Sequence, residues 1–205
     1  MKSKALCVLM LILFTAGCTG GGPPTVTQYY LLDYPSPVIK DAIRLDESLK
    51  VERFSVAQLY NSTSMISRSG PFGMDKPPFD RWGSNPADMV TDYLTRDFRQ
   101  AAIFRAVFSY RATDAARFVL QGSVTEFAAV EEKDGRKAVL TLHVTLLDLS
   151  QANIAKRVMF QKNYSYAAPC KDGSAEGLAA GLSESLARLS GEIMNDVYAA
   201  ARSRT

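Results

Sequence analysis

The stretch from Phe118 to Tyr166 decides the fold. It reads FVLQGSVTEFAAVEEKDGRKAVLTLHVTLLDLSQANIAKRVMFQKNYSY, and over most of its length apolar residues recur at every second position. Asp134-Gly135 marks a tight turn after the first apolar run, and residues 151–153 mark a second turn. A period of two puts apolar side chains on one face of a strand and polar side chains on the other. The stretch therefore predicts an antiparallel meander with one buried face.

Two other segments carry a helical pattern. Asn85 can cap a helix and Pro86 fits its first turn, so the apolar residues that follow predict an amphipathic helix over residues 86–101. A second helix of about 25 residues is predicted near the C-terminus. Its apolar residues at helical spacing are Leu178, Leu182, Leu186, Leu189, Ile193 and Val197.

Shorter apolar runs complete the predicted fold. Residues 28–32, 49–56 and 105–110 read as strands, with a further candidate at 65–68. Residues 70–78 are rich in Gly and Pro and are predicted to be a loop. The sequence thus predicts an α+β protein, with a mainly antiparallel sheet of about six strands and two amphipathic helices on one face.

The N-terminus has the pattern of an export signal. Lys2 and Lys4 precede an apolar run, and the run ends at Thr15-Ala16-Gly17-Cys18. This order of charged, apolar and small residues is typical of a secretory signal peptide. The last four residues resemble the lipobox of bacterial lipoproteins, in which the cysteine is acylated and becomes the first residue. We predict a lipoprotein signal peptide over 1–17, with an ordinary signal peptide and a chance cysteine as the alternative.

Acylation of Cys18 would tie the chain to a membrane surface. Each buried methylene contributes about 0.8 kcal/mol, and two acyl chains hold stably where one does not. Cys7 leaves with the signal, so Cys170 would remain without a disulfide partner; without acylation, a Cys18–Cys170 bridge would compete. Thr19, where enteric bacteria use Asp to retain a lipoprotein in the inner membrane, favours the outer membrane.

The residues that remain after removal of the predicted signal peptide determine the domain organisation and the charge. Residues 18–27 are predicted to be the lipidated cysteine and a flexible tether that reaches on the order of 25 Å. Residues 28–205 are predicted to be a single domain. Loss of Lys2 and Lys4 lowers the 24 basic residues to 22, against 21 acidic residues. This balance gives no indication of nucleic acid as a partner.

Three stretches, taken in order, resemble the auxiliary lipoproteins of ABC-type transport systems. They are Tyr29-Tyr30-Leu31-Leu32, residues 64–70 (Ser-Met-Ile-Ser-Arg-Ser-Gly), and Phe79-Asp80-Arg81-Trp82 just before the first helix. Within that family the chain looks similar to the paraquat-inducible C-like lipoproteins, which accompany Mce-domain proteins that carry phospholipid between bacterial membranes. The resemblance covers nearly the whole mature chain, although residues 83–85 (Gly-Ser-Asn) depart from the usual acidic or small-polar segment.

The resemblance implies a subunit that faces the periplasm and positions a transporter component without catalysis of its own. Its expected partners are an Mce-domain protein or the permease complex of an ABC transporter, and the membrane through the lipid anchor. A homo-oligomer is a further option, and no cofactor is expected beyond the acyl chains on Cys18. The alternative is a periplasmic carrier of a lipid or small hydrophobic ligand, which an apolar pocket of several hundred cubic ångströms would favour.

Few residues are candidates for a site. Arg81 and Trp82 could form a recognition patch, since both residue types are enriched at interfaces, but a Trp that fills the core is the favoured alternative. Ala187, Gly191 and Tyr198 lie opposite the apolar stripe of the second helix, on a face with little charge. Glycine is unfavourable inside a helix, so we predict that this face meets a partner, with chance occurrence as an equal alternative.

Catalysis has little support in the sequence. His143 is the only histidine, and the alternation around it predicts that its side chain points to solvent or to a partner. A Gly-x-Ser-x-Gly turn is absent, and a lone histidine with one free cysteine is a poor metal site. The sequence thus favours a protein that is not an enzyme and that binds no metal.

Overall fold

A computed structural model describes residues 26–204 of the chain. The predicted signal peptide, Cys18 and most of the predicted tether lie outside these residues. Within the described range the strands are β1 (Gln28–Tyr30), β2 (Leu45–Val51), β3 (Ser55–Val56), β4 (Ser67–Ser69), β5 (Gly73–Asp75), β6 (Asp80–Trp82), β7 (Phe104–Ser109), β8 (Phe118–Glu132), β9 (Gly135–Asp148) and β10 (Val158–Pro169). The helices are α1 (Pro86–Ala101), α2 (Ile154–Arg157) and α3 (Ala175–Arg202), and a 3₁₀ turn covers Gln58–Tyr60.

The predicted meander is confirmed as β8, β9 and β10. β8 and β9 are paired antiparallel from Phe118–Asp148 to Glu132–Gly135, and β10 pairs antiparallel with the other edge of β9. Gly135 has a φ of +121°, a conformation that glycine adopts without strain. The predicted inner face of β9 is fully buried. Its apolar members are Leu140, Leu142, Val144 and Leu146.

The sheet as a whole is mixed, so the prediction of a mainly antiparallel sheet of about six strands was wrong. Its main order is β10-β9-β8-β2-β7, and β2, β3 and β4 follow one another along the same edge of β8, all parallel to it. β4 turns back into β5 as an antiparallel hairpin within the predicted loop, and β1 and β6 form a separate parallel pair. Alternation identifies a strand but does not identify partners so distant in sequence.

Phe54 divides what the sequence predicts as one strand over residues 49–56. Its side chain is fully buried, and its backbone N–H donates to Thr91 Oγ1 of α1 at 3.0 Å. Gly122 on β8 makes this possible, because a Cβ there would stand 2.6 Å from Phe54 Cε1. The chain therefore leaves β8 after β2 and returns to it at β3.

The two long helices confirm the predicted α+β class. α1 has the predicted bounds, and the Asn85 side chain accepts a hydrogen bond from the Ala87 N–H at 2.9 Å as its cap. α1 packs on β7 and β8, α3 packs on β9 and β10, and the two helices also contact each other. α2 is a single exposed turn directly after residues 151–153, where the sequence predicts only a turn.

Two glycines of α3 should respond oppositely to a methyl group. A Cβ at Gly181 would stand 2.6 Å from Ala138 Cβ, whereas a Cβ at Gly191 would meet Pro37 Cβ at an ordinary 3.5 Å. We expect Gly181→Ala to lower the free energy of unfolding by about 1–3 kcal/mol through overpacking. Gly191→Ala should raise it by up to about 1 kcal/mol through helix propensity. Urea unfolding measures both, and equal effects would contradict the close helix–sheet contact at Gly181.

Candidate functional site

The chain enters the domain at the β1–β6 pair. Gln28 N–H donates to the Phe79 carbonyl at 2.8 Å, and β1 then runs parallel to β6. Only residues 19–25 separate Cys18 from Val26, the first described residue. If Cys18 is acylated, this pair is therefore the part of the fold closest along the chain to the membrane.

A buried polar cluster holds the segment that follows β1. Its centre is Asp97 of α1, whose side chain is 0% exposed. Tyr34 Oη donates to Asp97 Oδ2 at 2.8 Å, Ser190 Oγ of α3 donates to the same atom at 2.6 Å, and Arg96 Nη2 donates to Oδ1 at 2.7 Å. The cluster thus ties the segment to both helices.

Aromatic stacking and backbone hydrogen bonds extend this cluster. The Arg96 guanidinium lies 4.5 Å from the Tyr34 ring centre and 4.4 Å from that of Tyr93, and the two rings stack. Tyr93 Oη donates to the Leu32 carbonyl, and Asp33 N–H donates to Ser183 Oγ at 2.9 Å. Burial and the Asp97 carboxylate raise the pKa of Tyr34 far above its ordinary value, so Tyr34 stays a hydrogen-bond donor at physiological pH.

The Asp97 cluster is not among the features predicted from the sequence. The signal is nonetheless present, because Asp97 lies three residues after Leu94 and next to Phe98, on the apolar stripe of α1. A carboxylate at such a position is almost never fully buried without partners. Its two hydroxyl partners, Tyr34 and Ser190, lie 63 and 93 residues away along the chain, which the local pattern does not show.

The low-charge face of α3 contacts another part of the same chain. Pro37 lies against Gly191, and Tyr198 Oη both accepts from Ile43 N–H at 2.8 Å and donates to the Ile43 carbonyl at 3.0 Å. Ala187 is half-buried against the core. These contacts within the chain already account for Gly191 and Tyr198. A partner at this face stays a prediction, but these two residues do not require one.

Arg81 and Trp82 have different environments. Trp82 is 1% exposed and packs edge-on against Phe127 at 5.1 Å between ring centres. The Trp82 ring therefore fills the core, as the favoured alternative predicts, and a role of Trp82 in partner binding stays a prediction. Arg81 is half-buried, with Nη1 2.5 Å from Ser64 Oγ, and its role at an interface stays a prediction.

The outer face of the meander is polar, and the charged residue opposite Thr141 on β8, Glu126, is ion-paired with Arg68 at 2.8 Å. Cross-strand hydrogen bonds join neighbouring side chains, including His143 Nδ1 with Asn163 Oδ1 at 2.8 Å and Thr141 Oγ1 with Ser165 Oγ at 2.9 Å. His143 lies on this face, as its alternation predicts. We call this surface the neutral sheet face, and its residues are Gln121, Ser123, Thr125, Thr141, His143, Thr145, Gln161, Asn163 and Ser165.

Residues 26–204 contain neither a cluster of metal-binding side chains nor a helix that could span a membrane. No three His, Cys, Asp or Glu side chains in this range lie close enough to share a metal ion. None of the helices in this range is both long and apolar enough to cross a bilayer.

The fold and its entry point together define a class of protein. It is an α+β domain with two long helices on one face of a mixed sheet, whose N-terminal segment is clamped to both helices. The family model for the ABC-type transport auxiliary lipoprotein component matches residues 30–194. The chain belongs to this family, whose members are lipoproteins of the bacterial cell envelope that accompany ABC transport systems.

Solved structures share the fold at low sequence identity. The crystal structure of protein XCC0632 from Xanthomonas campestris has a TM-score of 0.78 at 19% identity, over 87% of this chain and 100% of that chain. The structure of protein CT253 from Chlamydia trachomatis has a TM-score of 0.53 at 10% identity, over 75% of this chain and 96% of that chain. No curated protein matches the chain. The likeness to these structures concerns the fold alone.

Proposed function

We propose that this protein is a non-catalytic, lipid-anchored subunit that positions a component of an ABC-type transport assembly. The observation that carries the proposal is the family match over residues 30–194, downstream of a lipobox-like Thr15-Ala16-Gly17-Cys18. The clamped segment at residues 32–34 supports it, because it links the entry of the tether rigidly to both helices. Acyl chains on Cys18 are the only non-protein groups that this role needs.

The transport system we propose is of the Mce type and moves phospholipid between membranes. This finer proposal rests on the resemblance to the paraquat-inducible C-like lipoproteins. Thr19 in place of a retaining Asp supports anchoring in the outer membrane, with the domain facing the periplasm. The neutral sheet face suits a protein partner, because the centres of interfaces are depleted in charged residues.

A periplasmic lipid carrier is the alternative, and the structure gives it less support. The space between α1, α3 and the sheet is filled by side chains with almost no exposed surface, including Leu94, Phe98 and Leu186. Two surface depressions, of about 460 and about 600 Å³, are lined largely by polar and charged residues. An acyl chain binds best in an apolar cavity, which neither depression offers.

The lipid anchor can be tested with metabolic labelling by an alkyne fatty acid. We expect the wild-type protein and a Cys170→Ala variant to carry the label and to sediment with membranes. Replacing residues 1–18 with a secretory signal that ends in an ordinary cleavage site should abolish the label and release the domain into the periplasm. An unlabelled, freely soluble wild-type protein would overturn the proposal.

The partner can be tested by a pull-down from detergent-solubilised membranes. We expect an Mce-domain protein or an ABC permease to be recovered with the anchored protein and depleted with the released form. Elution volume of the purified protein reports whether copies of the chain associate. Recovery of another class of transport protein would contradict the Mce proposal and keep the auxiliary role.

A further inference from the structure

The tip of the β4–β5 hairpin presents an apolar side chain that the fold does not use. Phe72 is 99% exposed, and Met74 on β5 is 47% exposed. Ser69 pairs with Gly73, so residues 70–72 form the tip, and Gly70 has a φ of +68°. A fully exposed phenylalanine between Pro71 and Gly73 adds nothing to the stability of the sheet, so its ring is free to contact a surface outside the chain.

The hairpin lies at the end of the domain where the tether enters. β1 and β6 are parallel, so Gln28 and Asp80 begin at the same end. Asp80 lines a cavity of about 230 Å³ together with Asp75, which ends the hairpin, and with Ala175, which begins α3. Ser69 at the tip pairs with Glu131 beside the β8–β9 turn, which lies at this end as well.

The distances along the chain are short enough for the tip of the β4–β5 hairpin and the predicted acyl anchor on Cys18 to reach the same membrane surface. Phe79 is seven positions after Phe72 along the chain, which bounds the distance between them at roughly 25 Å. Gln28 N–H binds the Phe79 carbonyl, and the predicted tether spans a similar length between this point and Cys18. Phe79 and Val26 are themselves exposed, at 42% and 72%.

We propose that the β4–β5 hairpin is a second membrane contact, at which Phe72 and Met74 enter the bilayer surface held nearby by the acyl anchor. The inference rests on the proposed lipid anchor. A tether alone would leave the domain free to rotate, whereas an anchor and an inserted aromatic residue fix its orientation. Phe is among the apolar side chains that bury at the boundary between lipid headgroups and acyl chains.

Apolar contact is the expected driving force. The turn next to the tip carries both Lys133 and Asp134, so attraction to anionic lipids does not dominate. Burying one Phe side chain contributes about 1.5–3 kcal/mol, which suffices for a molecule already held at the surface. We therefore expect the contact to depend little on salt.

Ile154 on α2 offers a matched control at the opposite end. It is 76% exposed, and it follows the end of β9 that is remote from the β8–β9 turn. β9 spans residues 135–148, which at about 3.3 Å per residue separates the two ends by roughly 40 Å. An apolar residue at this position should stay in water when the hairpin faces the membrane.

The test uses the acylated protein in vesicles of phosphatidylethanolamine and phosphatidylglycerol. Phe72→Cys and Ile154→Cys, each in a Cys170→Ser background, are labelled with the same environment-sensitive dye. Nitroxide groups on the lipid acyl chains should quench the dye at position 72 several-fold more than the dye at position 154. Emission at position 72 should also shift to the blue, and both effects should persist at high salt.

Each other outcome overturns the inference. Flotation of the vesicles with protein bound, but with equal lipid quenching at both positions, would reject the hairpin contact and keep the anchor. Shielding of position 72 from aqueous iodide in native membranes, without lipid quenching, would assign the tip to a protein partner. Failure of all variants to float would overturn the anchor itself, and the hairpin contact with it.

Discussion

Replacing Asp97 with Ala is expected to lower the free energy of unfolding by about 3–5 kcal/mol, because it removes the buried acceptor of two buried hydroxyl groups and the partner of the partly exposed Arg96 guanidinium. The Asp97 carboxylate accepts hydrogen bonds from Tyr34, Ser190 and Arg96 and is itself 0% exposed. Its loss leaves two buried hydroxyl groups without their acceptor, and it leaves the Arg96 guanidinium without its carboxylate. Urea or thermal unfolding followed by circular dichroism measures the change.

Two further variants of α1 distinguish a loss of stability caused by the Asp97 cluster from a general effect of substitution in this helix. Asp92→Ala changes an exposed carboxylate of the same helix and should alter stability by no more than about 0.5 kcal/mol. Asp97→Asn keeps the shape and one acceptor oxygen but loses the charge, so its cost should fall between the two. Similar values for Asp92→Ala and Asp97→Ala would show that the cluster is not a stabilising feature.

Asp97→Ala should also loosen the link between the tether and the domain. Residues 32–34 are held by Tyr93, Ser183 and Asp97, and only the Asp97 contact is lost in the variant. Amide exchange should therefore rise at residues 33–38 before it rises in the meander. Uniform loss of protection would mean that the cluster stabilises the whole fold without any preference for the entry segment.

Replacing Trp82 with Ala is expected to cost about 3–5 kcal/mol, the range for removal of a large buried aromatic side chain. The ring packs edge-on against Phe127 of β8, and it joins the β1–β6 pair to the main sheet. Its loss opens a cavity under the point where the chain enters the domain. Because Trp82 is the sole tryptophan, unfolding must be followed by circular dichroism and not by intrinsic tryptophan emission.

Substitutions at positions 81 and 82 distinguish a packing role of Trp82 from a role in partner recognition. Trp82→Phe keeps an aromatic ring and should cost less than Trp82→Ala. Arg81→Ala should cost about 1 kcal/mol or less, because it removes one side-chain hydrogen bond to Ser64. A Trp82→Ala variant of unchanged stability that no longer binds transport partners would reverse the assignment and return the residue to the interface.

Local sequence determined the elements whose signals lie within one segment. The meander, the bounds and cap of α1 and the long α3 follow from periods of two and of about 3.6 residues, and burial of one face enforces both periods. The outward position of His143 follows from the same alternation. The export signal and Cys18 are likewise local patterns, and the family resemblance rests on the order of short segments along the chain.

Only the tertiary structure decided which distant segments meet. The parallel pairing of β2, β3 and β4 along β8, the contact of Pro37 with Gly191, and the Asp97 cluster each join residues more than 60 positions apart. No local period encodes these contacts, because the packing of the whole chain determines them. For the same reason Trp82 is a core residue and Phe72 an exposed one, although both lie near glycines in the same polar region of the sequence.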